Sequence, residues 1–156
     1  MIRDIMKYSE KISNRLNNLL EKTYDAEKGY KLGAEKVENP SIKRFLENKI
    51  EQRYNFGHQL KSEILAYGEL PEKGGSLKGD LHRTWMNLTA TLSSNEDETI
   101  LNEVERGEKS FVEEYDEILK DKDMVLAPST ENLLIAQRNS VQSSLNTAKV
   151  YQEMVS

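Results

Sequence analysis

Residues 42–67 read IKRFLENKIEQRYNFGHQLKSEILAY, and the spacing of their apolar members decides the fold. Ile42, Phe45 with Leu46, Ile50, Phe56, Leu60, Ile64 and Tyr67 recur in steps of three and four, the pattern of a helix that buries one stripe. One residue in that stripe departs from it: Arg53 stands where a leucine is expected. A guanidinium on a core-facing seam keeps its charge, so it requires a carboxylate beside it.

Upstream, Ile5, Tyr8, Ile12, Leu16, Leu19, Thr23, Ala26, Tyr30, Gly33 and Val37 mark a first helix over about residues 3–38. Its nearly unbroken seam suits the ~20° packing of a helix bundle. Pro40 pushes its predecessor out of the helical region and ends this helix. Ser41 is then a natural N-cap for the second helix, or Asn39 is the cap with Pro40 at the first helical position. So short a connection folds the first two helices into an antiparallel hairpin. The second helix, about 41–67, is closed by Gly68 with Pro71 following.

Downstream, Ser76 can cap a shorter stretch over about 77–93 whose stripe is Leu77, Leu81, Trp85, Leu88 and Leu92. At ~1.5 Å per residue it reaches roughly 25 Å, enough to climb along a bundle, and it reads as a helical crossover. A third helix over about 97–120 turns Leu101, Val104, Glu108, Phe111, Tyr115 and Ile118 inward. The fourth, about 129–154, follows Pro128 with Ser129 or Thr130 as cap; its seam is Leu134, Gln137, Val141, Ser144/Leu145, Ala148, Tyr151 and Val155. These two form a second antiparallel pair. The expectation is an all-α chain, one domain over residues 1–156. It is a ferritin-like four-helix bundle made of two hairpins joined by a long crossover that contains a short helix.

Composition narrows the function classes. The chain is 31% charged and 37% hydrophobic with a net charge of −5, and its acids and bases are interspersed, which argues against a nucleic-acid binder. No cysteine is present, so disulfides, thiolate metal sites and a cysteine nucleophile are excluded. No apolar run approaches the ~18 residues of a membrane span, and residues 1–11 carry charges where a signal peptide needs an apolar core. A soluble, cytoplasmic protein is expected.

The polar members of the seams define the candidate site. Counting back across the Pro40 turn, Arg53 is level with Ala26 and Glu27; Tyr30 lies one turn away, and Glu108, Tyr115 and Gln137 face inward from the other hairpin. Together they could share one buried layer of a guanidinium, one or two carboxylates, an amide and phenol hydroxyls, each satisfied by another. One reading is an Arg53–Glu108 ion pair that sets helix register without chemistry. The other is a site for a metal or a small polar ligand.

Di-metal sites in ferritin-like bundles need a glutamate from each of two helices and Glu-x-x-His from each of the other two. Three residues before His58 is Asn55, and three before His82 is Gly79, so neither histidine completes the motif. Arg53 would also repel a metal at that depth. No metal or other cofactor is therefore expected. Glu103, Glu105, Glu108, Glu113 and Glu114 look like a carboxylate cluster, but on a helix most of them point to solvent. His82, Arg83 and Trp85 could line a pocket under the crossover, or Trp85 is a core anchor that the other two flank. The glycines at 74, 75 and 79 lack the strand and the Gly-Lys-Ser/Thr of a phosphate loop, and no spacing suggests a nucleophilic triad.

Gly29-Tyr30, Ala34-Glu35, Asn39-Pro40, Gln52-Arg53 with Phe56 and Leu60, Gly75-Ser76-Leu77, Leu81-His82-Arg83-Thr84-Trp85, Glu103, Glu105-Arg106-Gly107-Glu108 and Tyr115 together carry a resemblance. The chain resembles an uncharacterised bacterial family of ferritin-like four-helix bundles, usually described only as a domain of unknown function. The resemblance covers roughly residues 16–145. It implies the ferritin-like fold and a stress-related role, and it brings no activity, substrate or catalytic residue. The chain departs from the family in its fourth helix. Relatives often carry a histidine about eight residues past the position of Gln137, where Leu145 stands here.

The function expected is a non-enzymatic bundle in a structural or interaction role, as a homodimer, with an unidentified protein partner. Dimerisation is expected because the first helix, with Ile2, Ile5 and Met6, outruns its hairpin partner and leaves apolar surface to be covered. The tip Met124-Val125-Leu126 is the alternative cover. The rival reading is a metal- or small-ligand-binding bundle with residual redox chemistry, and a third places a small molecule beside Trp85.

Overall fold

Asn39 decides where the second helix begins. Its backbone is extended (φ −71°, ψ 122°), and its side-chain Oδ1 accepts hydrogen bonds from the N–H groups of Ser41 at 2.8 Å and Ile42 at 3.2 Å. Pro40 therefore occupies the first helical position, where its missing N–H costs nothing. In the computed structural model, residues 2–73 and 96–156 are described, with side chains from Tyr8 to Lys73 and from Asp97 onward. The helices are α1 (Ile2–Lys36), α2 (Pro40–Ala66), α3 (Glu96–Lys120) and α4 (Pro128–Val155). The crossover helix expected over 77–93, with His82, Arg83 and Trp85, lies outside the described residues.

Two antiparallel hairpins, α1–α2 and α3–α4, make the bundle. They meet along α1 with α3 and along α2 with α4, which leaves α2 and α3 diagonal to each other. Asp97, in the first turn of α3, accepts the N–H groups of Glu38 at 2.8 Å and Asn39 at 3.1 Å, so α3 starts at the end of the bundle where α2 also starts. At the opposite end Tyr67, the C-cap of α2, meets Thr130 in the first turn of α4 at 3.0 Å. α2 therefore ends, and α3 begins, at opposite ends of the bundle, as in ferritin-like folds.

Helix ends follow local chemistry. α2 closes on Gly68 at φ +83°, a left-handed conformation that costs glycine nothing. Gly68 N–H bonds Leu65 O at 2.9 Å and Glu69 N–H bonds Ile64 O at 3.2 Å, which satisfies two terminal carbonyls. α4 corrects the expectation of a Ser129 or Thr130 cap. It begins at Pro128, and the N-cap is Ala127, with no side-chain bond to the helix. Thr130 is buried and uses its hydroxyl on Glu63 instead, at 2.9 Å.

The core is in two halves. One gathers Leu16, Leu19, Leu20, Phe56, Leu60, Phe111, Ile118, Leu134 and Val141 at the end near the α3–α4 turn. The other gathers Ala26, Ala34, Ile42, Leu46, Ile100, Leu101, Val104 and Ala148 at the end near Asn39. The tip at 121–127 is folded over the side of α1. Met124 is buried in the first half-core with Ile12, Leu126 packs against it, and the Tyr8 hydroxyl donates to Asp123 O. From Ile12 onward α1 is thus covered from within the chain on this side, and the side chains of Ile2, Ile5 and Met6, on which the dimer expectation rests, lie outside the described residues. None of the described helices is long and apolar enough to cross a membrane.

Candidate functional site

Between the two half-cores lie buried polar residues from all four helices: Thr23 and Asp25 from α1, Arg53 from α2, Glu108 from α3 and Ser144 from α4. Thr23 and Ser144 turn their hydroxyls back onto their own helices, donating to Leu19 O at 2.7 Å and Ser140 O at 3.0 Å. They are small and self-satisfied. The bundle centre is thus left to the long side chains of the diagonal pair.

Arg53 and Glu108 are both fully buried, at 0% exposure. Arg53 Nη1 donates to Glu108 Oε1 at 2.7 Å and Nη2 donates to Oε2, a bidentate pair in which the planar fork matches the carboxylate. Arg53 Nε donates to Gln52 Oε1 at 3.3 Å. Three aromatic rings surround the cation, with the guanidinium carbon 5.5 Å from the Tyr30 and Phe56 centroids and 5.4 Å from that of Phe111. A desolvated cation gains from such ring faces, which helps offset its lost hydration. Burial alone would lower the Arg53 pKa. The Glu108 carboxylate, followed by the neighbouring phenols Tyr30 and Tyr115, outweighs that effect and holds it above its ordinary value. The guanidinium stays charged.

The candidates expected in one layer occupy two tiers and a surface. Tyr30 lies against the pair; burial first and the Glu108 carboxylate second push its phenol pKa well above the ordinary value. Tyr115 and Gln137 form a separate tier toward the α3–α4 turn. The Tyr115 hydroxyl donates to Gln137 Oε1 at 2.7 Å, and Gln137 Nε2 donates to Gln59 Oε1 at 3.0 Å and toward Phe56 O at 3.4 Å. This tier ties α3, α4 and α2 together, and burial raises the Tyr115 phenol as well. Glu27 departs from the expectation. It is a half-buried residue paired with Lys31 one turn along the same helix at 3.4 Å.

Thr23 and Ser144 stand in the seams without marking a site, because a hydroxyl on a helix can satisfy itself on its own backbone. The signal for Thr23 is positional. Thr23 is as far before the end of α1 at Lys36 as Arg53 is after the start of α2 at Pro40.

A di-metal centre does not fit these residues. Both Glu108 oxygens are engaged by Arg53, whose fixed positive charge stands at the bundle axis. Among the described residues, no three of His, Asp or Glu converge to hold an ion. Nor does the pair suit acid–base work, since the guanidinium does not release its proton and the carboxylate is saturated by it. Lys49, one turn from Arg53 on α2, is half-buried over the Phe45 ring at 5.6 Å; burial and then the Arg53 charge lower its pKa.

No curated protein matches this sequence. Among solved structures, the chain is similar to a mutant of Dps1 from Mycobacterium smegmatis, at 14% identity over 94% of this chain and 97% of that one, with a TM-score of 0.73. At that identity the likeness speaks to the fold alone, a ferritin-like helical bundle. Residues 11–121, well over half of the chain, match the family described as "Domain of unknown function (DUF2383)", and the protein belongs to that family.

Proposed function

We propose that this chain is a non-enzymatic ferritin-like bundle, a cytoplasmic structural or interaction protein working as a homodimer, in which a buried Arg–Glu pair takes the place of a di-metal centre. One observation carries the reading. Glu108, buried at 0% exposure, spends both oxygens on Arg53, which is equally buried. A stress-related role is what the family resemblance implies, and no residue here adds to it. The rival is a metal- or small-ligand-binding bundle with residual redox chemistry.

Metal analysis of protein purified without chelators, followed by iron titration under air, separates the two. The expected result is less than stoichiometric iron or manganese and no saturable ferrous oxidation above buffer. Stoichiometric metal that is lost on Glu108→Leu would transfer the conclusion to the rival.

A further inference from the structure

Among the described residues, charges are sparse along the outer side of α4. α4 carries four charged residues in its 28, Glu131, Arg138, Lys149 and Glu153, in a chain that is 31% charged. Contacts on its two flanks establish which way its outer residues point. Arg138 and Gln152 turn to Asp116 and Asn102 on α3, while Gln137 and Tyr151 turn to Gln59 and Phe45 on α2. At ~100° per residue the outward row is Asn132, Asn139, Ser143 and Val150, with Met154 on the α2 side, and all five are exposed. On α2 the exposed row flanking α4 is Asn48, Asn55, Gln59, Ser62 and Ala66. The α4 row holds no charge, and the α2 row holds one, the exposed Arg44, five turns before Ser62 on the same line. Glu63, at the margin of the second row, is taken up by Thr130, and the exposed Glu51 stands at its outer border.

We propose that this α2–α4 face is where a second copy of the chain docks, face to face across a two-fold axis. Charge favours a copy of the same chain. Two molecules of net charge −5 repel, and a two-fold contact sets one patch against its own image, so a face whose only charge in the two rows is Arg44, near the start of α2, limits like-charge contact. Amides and hydroxyls both donate and accept, so each row can be satisfied by its copy. Size agrees. Helices of 27 and 28 residues are each ~40 Å long, and side by side at ~10 Å they offer about 800 Å², one partner's share of a stable interface. Val150 and Met154, 58% and 65% exposed, supply apolar anchors at one end. This names the surface for the interaction role proposed above and rests on that reading only for its purpose.

Sedimentation equilibrium of the full chain between about 1 and 50 µM tests it, a range in which interfaces of this size associate. The expected result is a dimer. Asn139→Glu with Ser143→Glu places charges at the middle of the face and should weaken association about a hundredfold or more, with the circular dichroism spectrum unchanged and the urea midpoint unchanged at a concentration low enough that both proteins are monomers. Asn55→Glu on the other helix should act in the same direction. Asn14→Glu with Asn18→Glu adds the same charge on exposed positions of α1 and should leave the dimer intact. A monomer throughout the range, a dimer that survives Asn139→Glu/Ser143→Glu, or equal loss from the α1 variant overturns the proposal. Stoichiometric iron in an intact dimer would instead sink the non-enzymatic reading and leave this surface standing.

Discussion

Arg53 and Glu108 sit on helices that are diagonal in the bundle, and their bidentate pair crosses its axis between two apolar half-cores. A pair between neighbouring helices would tie one hairpin to itself or one edge to the next. This one joins the second helix of one hairpin to the first helix of the other, so a slide of either hairpin by one turn strands two buried charges. Register between the hairpins is what the pair specifies, at a desolvation cost that apolar residues would not incur.

Arg53→Ala should lower stability by ~3–5 kcal/mol, because Glu108 is left buried without its cation. Replacing both, Arg53→Met with Glu108→Leu, should be far milder than the sum of the single changes, since no charge is then stranded. Urea denaturation of the four proteins measures the coupling. Strictly additive losses would mean that the two side chains do not act as a unit.

Two glycines in or at the end of α2 should respond to alanine in opposite directions. A Cβ on Gly57 would meet Leu20, Tyr24 and Thr23 at 3.9–4.0 Å, ordinary contact, so Gly57→Ala should stabilise by roughly 0.5–1 kcal/mol through helix propensity. Gly68 is held at φ +83°, and Gly68→Ala should cost about 1–2 kcal/mol despite open space around it. Thermal melts of the pair read the difference. A loss at Gly57 would show that α1 cannot yield even at van der Waals distance.

α2 has a side-chain N-cap and α4 has none, and that contrast can be tested from both sides. Asn39→Ala should cost about 1 kcal/mol by releasing the Ser41 and Ile42 N–H groups. Ala127 already has the extended backbone of a cap (φ −59°, ψ 145°), so Ala127→Asp should add about 1 kcal/mol. Chemical denaturation at neutral pH, where the aspartate is charged, measures both.

Alkaline pH should weaken the fold through the buried phenols. Burial raises Tyr30 and Tyr115 above the ordinary value of 10.0, so the folded chain keeps protons that the unfolded chain releases. Their contribution is fully present below pH 10 and is lost as pH rises beyond it, by about 1.4 kcal/mol per pH unit for each phenol. Lys22 and Lys49, lowered by burial from 10.5, act in the opposite direction and only below that value. The slope is therefore read above pH 10.5. Urea midpoints there should fall steeply for the wild type and about half as steeply for Tyr115→Phe; equal slopes would contradict the burial account.

The amino-acid sequence by itself determined the number and approximate bounds of the four described helices, because three-and-four spacing, Pro40, Gly68 and Pro128 are local signals that act within a few residues. It also singled out Arg53, since a charge on an apolar seam is visible without knowing what faces it. The tertiary structure decided which of several inward carboxylates and phenols meets that charge. Periodicity places a residue on a face but leaves open its height relative to another hairpin, so Glu27 and Gln137 were drawn into one layer with Arg53. Packing left Glu27 half-buried and paired with Lys31 on its own helix, and set Gln137 two turns away with Tyr115. Only the juxtaposition of the hairpins, through Asp97 at one end and Tyr67 with Thr130 at the other, establishes that height, because contacts between residues far apart in the chain carry no local sequence signal.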